Sequence, residues 1–96
     1  MELEEIEKHL RNVDLVREGV VVPADRNGQT VMLAAYVVLR DTPASKLENT
    51  IAIKKALSEN LPAYMIPQKI VIMEHLPRNT NGKVDRTLLK EQSSLH

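Results

Sequence analysis

The sequence predicts an α+β domain, a small three-stranded, mainly antiparallel sheet packed with helices. Apolar residues recur at helical spacing in the first and middle parts of the chain, and β-branched runs lie between these parts. A turn sequence typical of β-hairpins lies between two of the runs. Ninety-six residues are enough for one domain, with a core that fits helices on a sheet.

The first helix and the hairpin follow from local pattern. The helix is expected to end near Arg11 or Asn12, and its apolar residues are Leu3, Ile6, Leu10 and Val13. Residues 19–23 and 31–39 are apolar runs rich in valine, typical of strands. The Asp-Arg-Asn-Gly sequence at 25–28 favours a tight turn between them. We therefore expect two antiparallel strands after the first helix.

A second and longest helix is expected after a capping box, in which Ser45 and Glu48 satisfy the first backbone N–H groups. Pro62 ends this helix. Its predicted apolar face comprises Leu47, Ile51, Ile53, Leu57 and Leu61. Residues 69–74 are expected to form the third strand.

The last part of the chain predicts a turn and a short helix. Asn81 and Gly82 tolerate positive φ, so they place Lys83 at the open tip of a tight turn. Asp85 is expected to cap the last helix, with Arg86 orienting Asp85. That helix carries Leu88 and Leu89, and residues 91–96 resemble a tail. Alone, an Asn-Gly-Lys sequence indicates only a solvated lysine on a turn.

Composition excludes several classes of protein. Cysteine is absent, which removes disulfides and thiolate chemistry, and no segment is long and apolar enough to be a signal peptide or membrane span. The default location is the cytoplasm. Aromatic residues make up 2% of the chain, so only Tyr36 and Tyr64 could stack on bases, and a nucleic-acid module is disfavoured. Residues 1–50 carry three more acidic than basic side chains, and residues 51–96 three more basic than acidic.

Other candidate sites are weaker. The three histidines, His9, His75 and His96, lack partners at metal-ligand spacing, so no metal site is expected. Residues 77–83 differ from a nucleotide P-loop because Pro77 stands at the first glycine and Val84 at the magnesium-binding hydroxyl. No serine lies in a nucleophile-elbow sequence. Tyr64 and Met65 are expected to pack in the core.

Three segments in one order carry a family resemblance: residues 2–7 (ELEEIE), 61–67 (LPAYMIP) and 76–86 (LPRNTNGKVDR). Together they resemble the last three motifs of the adenylate-forming superfamily, which includes peptide synthetase adenylation domains, acyl-CoA synthetases and luciferases. Only the small C-terminal lid domain is matched. Within the superfamily, the chain most resembles the carrier-charging ligases that activate D-alanine for teichoic acid D-alanylation, through residues 19–23, 27–28, 33–38 and 52–57.

The resemblance implies a site and partners. Lys83 would be catalytic, and Asn81, Gly82 and Lys83 would form the turn that contacts ATP and the acyl-adenylate. ATP and Mg²⁺ would be bound by the full-length parent, with no cofactor in the isolated chain. The expected partners are the parent's N-terminal domain and a phosphopantetheinyl carrier protein, with neither nucleic acid nor membrane. Residues 1–96 would be the lid alone, with the N-terminal domain and hinge absent, and therefore inactive by itself.

A cation has a chemical purpose in such a reaction. A substrate carboxylate and the α-phosphate of ATP are both anionic, and negative charge builds on the phosphoryl oxygens during attack. The flexible lysine stem suits a group that enters from another domain and withdraws.

Two residues differ from the family pattern, and other functions are compatible with the same sequence. The family commonly has Thr where Asn79 stands, and Pro or a small residue at Thr80. The same lid would serve a nonribosomal peptide synthetase adenylation domain or an acyl-CoA synthetase. A non-enzymatic protein-interaction module is the alternative from another class.

Overall fold

A computed structural model describes residues 3–26, 28–40 and 45–93. Within these residues, three helices and three strands follow one another. In order they are α1 (Leu3–Arg11), β1 (Val16–Arg26), β2 (Gln29–Leu39), α2 (Lys46–Ser58), a single 3₁₀ turn (Ala63–Met65), β3 (Lys69–Ile72) and α3 (Arg86–Ser93). The predicted α+β class, the hairpin and the order of elements are confirmed.

The sheet has the order β1-β2-β3, with β2 in the centre. β1 and β2 form a long antiparallel hairpin, whose predicted turn includes Asn27, outside the described residues. β3 pairs with β2 in parallel. Parallel pairing needs a long connection, which α2 supplies between the two strands. The sheet is therefore mainly antiparallel, as predicted, with one short parallel strand.

Each face of the sheet has its own core because side chains alternate along a strand. One core lies under α1 and α2 and includes Ile6, Leu10, Val21, Ala35, Val37, Ile53 and Leu57. The other lies under α3 and the segment before it and includes Val20, Val22, Ala34, Tyr36, Val38, Leu76 and Leu89. Residues 33–39 of β2 are buried between the two cores, and this part of the strand is continuously apolar.

Gly19 sets how closely α1 approaches β1. A Cβ at this position would lie 2.7 Å from Leu10 Cδ2, so any larger residue would push the helix away from the strand. The close approach brings the polar side chain of Glu7 on α1 to the backbone of β1.

Several details of the sequence predictions were wrong or incomplete. Ser45 caps α2 as predicted, with its hydroxyl accepting the Glu48 N–H at 3.1 Å, but Leu47 and Ile51 are 70% and 57% exposed. The buried face of α2 instead carries Asn49, Ile53 and Leu57. Leu47 and Ile51 lie two positions from Asn49 and Ile53, about 200° around the helix, so they face away from the sheet.

The remaining differences concern the end of β3, the burial of Tyr64 and Met65, and the C-terminal residues. β3 ends at Ile72, two residues before the predicted end. Tyr64 is 70% exposed, whereas Met65 packs partly buried on the core, so only the second half of that prediction is right. The expected tail is helical as far as Ser93, whose buried hydroxyl is hydrogen-bonded to Tyr36; residues 94–96 lie outside the described part.

Candidate functional site: the lysine turn

The lysine turn, residues 78–85, is fixed at its base by the second core. Leu76, just before it, is buried in that core, and Val84 packs against it half-buried. Arg78 and Val84 form an antiparallel bridge, and the Asp85 N–H donates to the Pro77 carbonyl at 2.8 Å. The two arms of the turn are thus held together where they leave the protein surface.

The interior of the turn is organised by Asn79. Its Oδ1 accepts the Asn81 N–H at 2.9 Å and the Lys83 N–H at 3.2 Å, and its backbone N–H donates to the Lys83 carbonyl at 2.8 Å. The Gly82 N–H closes the turn on the Asn79 carbonyl at 3.0 Å. Gly82 has a φ of 80°, a conformation that favours glycine, as its position predicted.

Arg78 supports the tip of the turn from the side. Its Nη1 donates to the Gly82 carbonyl at 3.2 Å, and its Nη2 donates to the carboxylate of Glu18 on β1. Both side chains of this ion pair are partly exposed. One guanidinium therefore joins the carbonyl before Lys83 to the sheet.

Lys83 itself is exposed, and no described residue forms a hydrogen bond or ion pair with its ammonium group. The structure places Asn81, Gly82 and Lys83 on the turn, as the sequence predicted, with hydrogen bonds that hold their backbone and with the lysine side chain exposed. An exposed cation on a stiff support can be brought to an anion held by another domain.

The end of the turn continues directly into α3. Asp85 Oδ1 accepts the Leu88 N–H at 3.0 Å, which confirms Asp85 as the helix cap. Leu89 is buried, while Leu88 is 39% exposed. Arg86 does not orient Asp85, contrary to the prediction. Instead it reaches across to Glu7, because a buried carboxylate attracts the guanidinium more strongly than a capping aspartate at the surface.

We call the group around this carboxylate the Glu7 anchor: Glu7, Val21, Arg86 and Arg11. Glu7 Oε2 accepts the Val21 N–H at 3.1 Å and a hydrogen bond from Arg86 Nη1, while Arg86 Nη2 donates to Oε1 at 2.8 Å. Arg11 Nη1 lies 3.5 Å from Oε1. One buried side chain thereby links α1, β1 and the first residue of α3.

The anchor shifts the pKa values of both partners. Burial is the largest single influence on Glu7 and opposes its ionisation. The hydrogen bonds from Arg86 and the Val21 N–H, together with the positive charges of Arg86 and Arg11, outweigh burial and lower the pKa of Glu7. The hydrogen bond to Glu7 raises the pKa of Arg86 despite partial burial. Both groups are therefore charged at neutral pH.

Sequence reasoning missed the residues that shape the site. Asn79 is the first residue of an Asn-x-Asn-Gly sequence, a signal for a side chain that bonds the backbone two residues on. Glu7 lies four residues from Leu3 and three from Leu10, so it stands in the apolar stripe of α1, a signal for a buried pair. No local signal connects Arg78 with Glu18, sixty positions apart.

The histidines form no metal site in the described part of the chain. No group of three or more His, Cys, Asp or Glu side chains close enough to hold a metal ion occurs in residues 3–26, 28–40 and 45–93. His96 lies outside these residues. Among the described helices, none is both long and apolar enough to cross a membrane.

A family model described as "AMP-binding enzyme C-terminal domain" matches residues 5–83. The match covers most of the chain and ends on Lys83, at the lysine turn. The chain therefore belongs to the family of AMP-binding enzyme C-terminal domains, which confirms the resemblance stated above.

Two relatives and one solved structure are similar to this chain over most of its length. The chain is 47% identical over 91 residues to the D-alanine--D-alanyl carrier protein ligase of Staphylococcus haemolyticus and 48% identical over 91 residues to that of Staphylococcus epidermidis, in each case with 95% of this chain covered. A benzoate CoA ligase from Burkholderia xenovorans has the same fold, with a TM-score of 0.79, 30% identity and 92% coverage.

The chain is short beside these proteins. It spans 19% of the length of each ligase and 18% of the benzoate CoA ligase. The similarity therefore concerns one domain of a much longer type of protein.

Proposed function

We propose that this chain is the C-terminal lid of an ATP-dependent ligase. The ligase activates an amino acid, D-alanine, as an acyl-adenylate and passes the acyl group to the phosphopantetheine thiol of a carrier protein. The observation that carries the proposal is the exposed Lys83 on a fixed turn, in a chain nearly half identical to proteins named as such ligases. The proposal includes the cytoplasmic location and the role in teichoic acid D-alanylation that the sequence resemblance implies.

In the first half-reaction, a carboxylate oxygen of D-alanine attacks the α-phosphorus of ATP. A P–O bond forms to the carboxylate, the bond from the α-phosphorus to the bridging oxygen breaks, and pyrophosphate leaves. The Lys83 ammonium stabilises the charge that grows on these oxygens. In the second half-reaction, the thiol attacks the acyl carbonyl, loses its proton and displaces AMP. Lys83 serves the first half-reaction only.

Asn81 and Gly82 form the part of the turn that contacts ATP and the acyl-adenylate. Their backbone is held by Asn79, so Lys83 would arrive with its main chain already ordered. Less conformational entropy is then lost when Lys83 meets the reacting groups.

The remaining parts of the reaction belong to the rest of the parent enzyme. We assign Mg²⁺, the ATP site and the amino acid pocket to the N-terminal domain, because the family match of this chain is to the C-terminal domain. The carrier protein would dock partly on the lid. The isolated chain, residues 1–96, would be a single domain without adenylation activity, because one lysine offers too few contacts to hold a nucleotide.

The test uses Lys83→Ala in the full-length ligase. ATP–pyrophosphate exchange with D-alanine should fall by about 10²- to 10³-fold, as for other lost oxyanion contacts. Transfer from supplied D-alanyl-adenylate to the carrier should change little. Lys69→Ala, which removes an exposed lysine from the start of β3, is the matched control and should leave both half-reactions intact.

Lys83→Arg tests whether charge alone suffices. Arginine keeps the charge but carries it on a planar fork, so we expect poor recovery of exchange. Equal loss of both half-reactions in Lys83→Ala would show that Lys83 is not confined to adenylation. An unchanged exchange rate would leave it a solvated turn residue.

One observation favours a second candidate, an acyl-CoA synthetase. The benzoate CoA ligase shares the fold at 30% identity, so the acceptor thiol could be coenzyme A. A peptide synthetase adenylation domain would use the same lid. Supplying coenzyme A and carrier protein separately to the full-length enzyme distinguishes these acceptors. A parent reading frame that lacks an upstream ATP-binding domain would instead favour a protein-interaction module.

A further inference from the structure

We propose that Arg78 is a positioning residue, which holds the peptide before Lys83 against β1 and so directs Lys83 for adenylation. This inference rests on the proposed function. It assigns a role to a residue outside the Asn-Gly-Lys sequence, through contacts at both ends of one guanidinium group.

Arg78 contacts the peptide unit that leads into Lys83. The Gly82 carbonyl and the Lys83 N–H belong to the same planar unit. Arg78 Nη1 donates to that carbonyl at 3.2 Å, and Asn79 Oδ1 accepts that N–H at 3.2 Å. The plane that leads into Lys83 is thus held from both of its polar sides.

This peptide plane follows a flexible glycine. Gly82 has a φ of 80°, and an added Cβ there would meet nothing within 4 Å. Glycine has the widest conformational range of any residue, so packing does not restrict the tip of the turn. Hydrogen bonds must therefore supply the restriction.

The other end of the guanidinium contacts Glu18. Glu18 lies on β1, where it pairs with Val38 of the central strand. Arg78 consequently joins the turn tip to the sheet rather than to another loop, and groups held on strands are placed more accurately than groups held on loops.

The chemistry of arginine fits this arrangement. Its planar fork presents separate N–H donors, so Nη1 and Nη2 serve two acceptors at once, whereas lysine offers a single nitrogen. The pair with Glu18 is partly exposed, and exposed ion pairs contribute little to stability. A role in positioning can therefore be separated from a role in folding.

The experiment compares Arg78→Met and Arg78→Lys in the full-length ligase. Because small misplacements of a reacting group are costly, kcat for ATP–pyrophosphate exchange should fall about tenfold in both variants. The KM for ATP, transfer from supplied D-alanyl-adenylate and the unfolding midpoint should stay close to those of the unaltered enzyme. Glu18→Ala should give a smaller loss, since Arg78 keeps its bond to Gly82.

Arg17→Met is the matched control. Arg17 is an exposed arginine on β1 next to Glu18, and its replacement removes the same charge from the same region. An equal fall in exchange with Arg17→Met would show that only overall charge matters, which overturns the proposal.

Lys83→Ala, measured alongside, separates the two levels of inference. If it lowers exchange while the Arg78 variants match Arg17→Met, the proposed function stands and the role of Arg78 is overturned. If Lys83→Ala has no effect on exchange, the proposed function fails and the role of Arg78 fails with it. A parallel fall of exchange, transfer and unfolding midpoint in the Arg78 variants indicates a structural role and also overturns the proposal.

Discussion

The lysine turn ends at Asp85 and the next residue, Arg86, belongs to the Glu7 anchor, yet the two regions are stabilised by opposite physical means. The anchor is a buried carboxylate with a 3% exposed side chain, surrounded by charged and backbone donors. The turn is an exposed loop whose shape depends on one asparagine, one arginine and a glycine with positive φ.

This difference separates what folds the domain from what the domain presents. A buried charge that loses its partner is costly, so the anchor constrains α1, β1 and α3 relative to one another. Exposed ion pairs are individually weak, so residues of the turn can change with little effect on the fold. The comparison predicts that similar substitutions in the two regions have very different consequences.

The largest effect is expected from Arg86→Met. This change leaves the Glu7 carboxylate buried with only Arg11 and the Val21 N–H, and should destabilise the chain by about 3 kcal/mol. The value lies at the low end for broken buried pairs because the Arg86 side chain is half exposed. Urea unfolding measures it.

Arg78→Met is the matched change in the lysine turn, since it breaks an ion pair in which both side chains are exposed. It should cost less than about 1 kcal/mol. In addition, Glu7→Gln combined with Arg86→Met should cost less than the sum of the single changes, because removing the buried charge relieves its desolvation. Similar costs for Arg86→Met and Arg78→Met would contradict the distinction between anchor and turn.

Alanine at the two glycines with positive φ should destabilise the chain less than Arg86→Met does. Gly28 in the hairpin and Gly82 in the lysine turn both have φ of 80° and open space where a Cβ would stand. Gly28→Ala and Gly82→Ala should therefore destabilise the chain equally, by about 1 kcal/mol, through backbone strain alone.

The two variants should differ in adenylation activity even though they are equally stable. In the full-length ligase, Gly82→Ala should lower ATP–pyrophosphate exchange because the strained residue precedes Lys83, while Gly28→Ala should not. Equal exchange rates in the two variants would mean that the conformation of the turn has no part in adenylation.

Most of the fold could be predicted from the sequence because its signals are local. Ser45 and Asp85 are caps with a fixed relation to the next helix, and the Asp-Arg-Asn-Gly sequence lies between two apolar runs. Leu47 and Ile51 were misassigned because apolar residues lie on two opposite sides of α2, and the sequence does not show which side the sheet covers.

The site was only half predictable for a related reason. Gly82 and Lys83 are contiguous, so the turn and its lysine follow from the sequence. The support for the turn is not contiguous: Arg78 pairs with Glu18, and Arg86 pairs with Glu7, 79 positions away. Such contacts depend on which elements the sheet brings together, and one sequence does not specify that.

The smallest effect on stability is expected from a change of pH, and it arises at the Glu7 anchor. The lowered pKa of Glu7 means that the folded chain keeps this carboxylate ionised to lower pH than the unfolded chain does. The resulting stability is fully present above the ordinary glutamate pKa, 4.5, and is lost as the pH falls through the folded pKa. The loss is modest because burial opposes ionisation and cancels part of what the arginines contribute. Urea unfolding between pH 7 and pH 3 should therefore show a steeper decline in stability for the unaltered chain than for Glu7→Gln. Parallel declines in the two chains would remove Glu7 as the source of acid sensitivity.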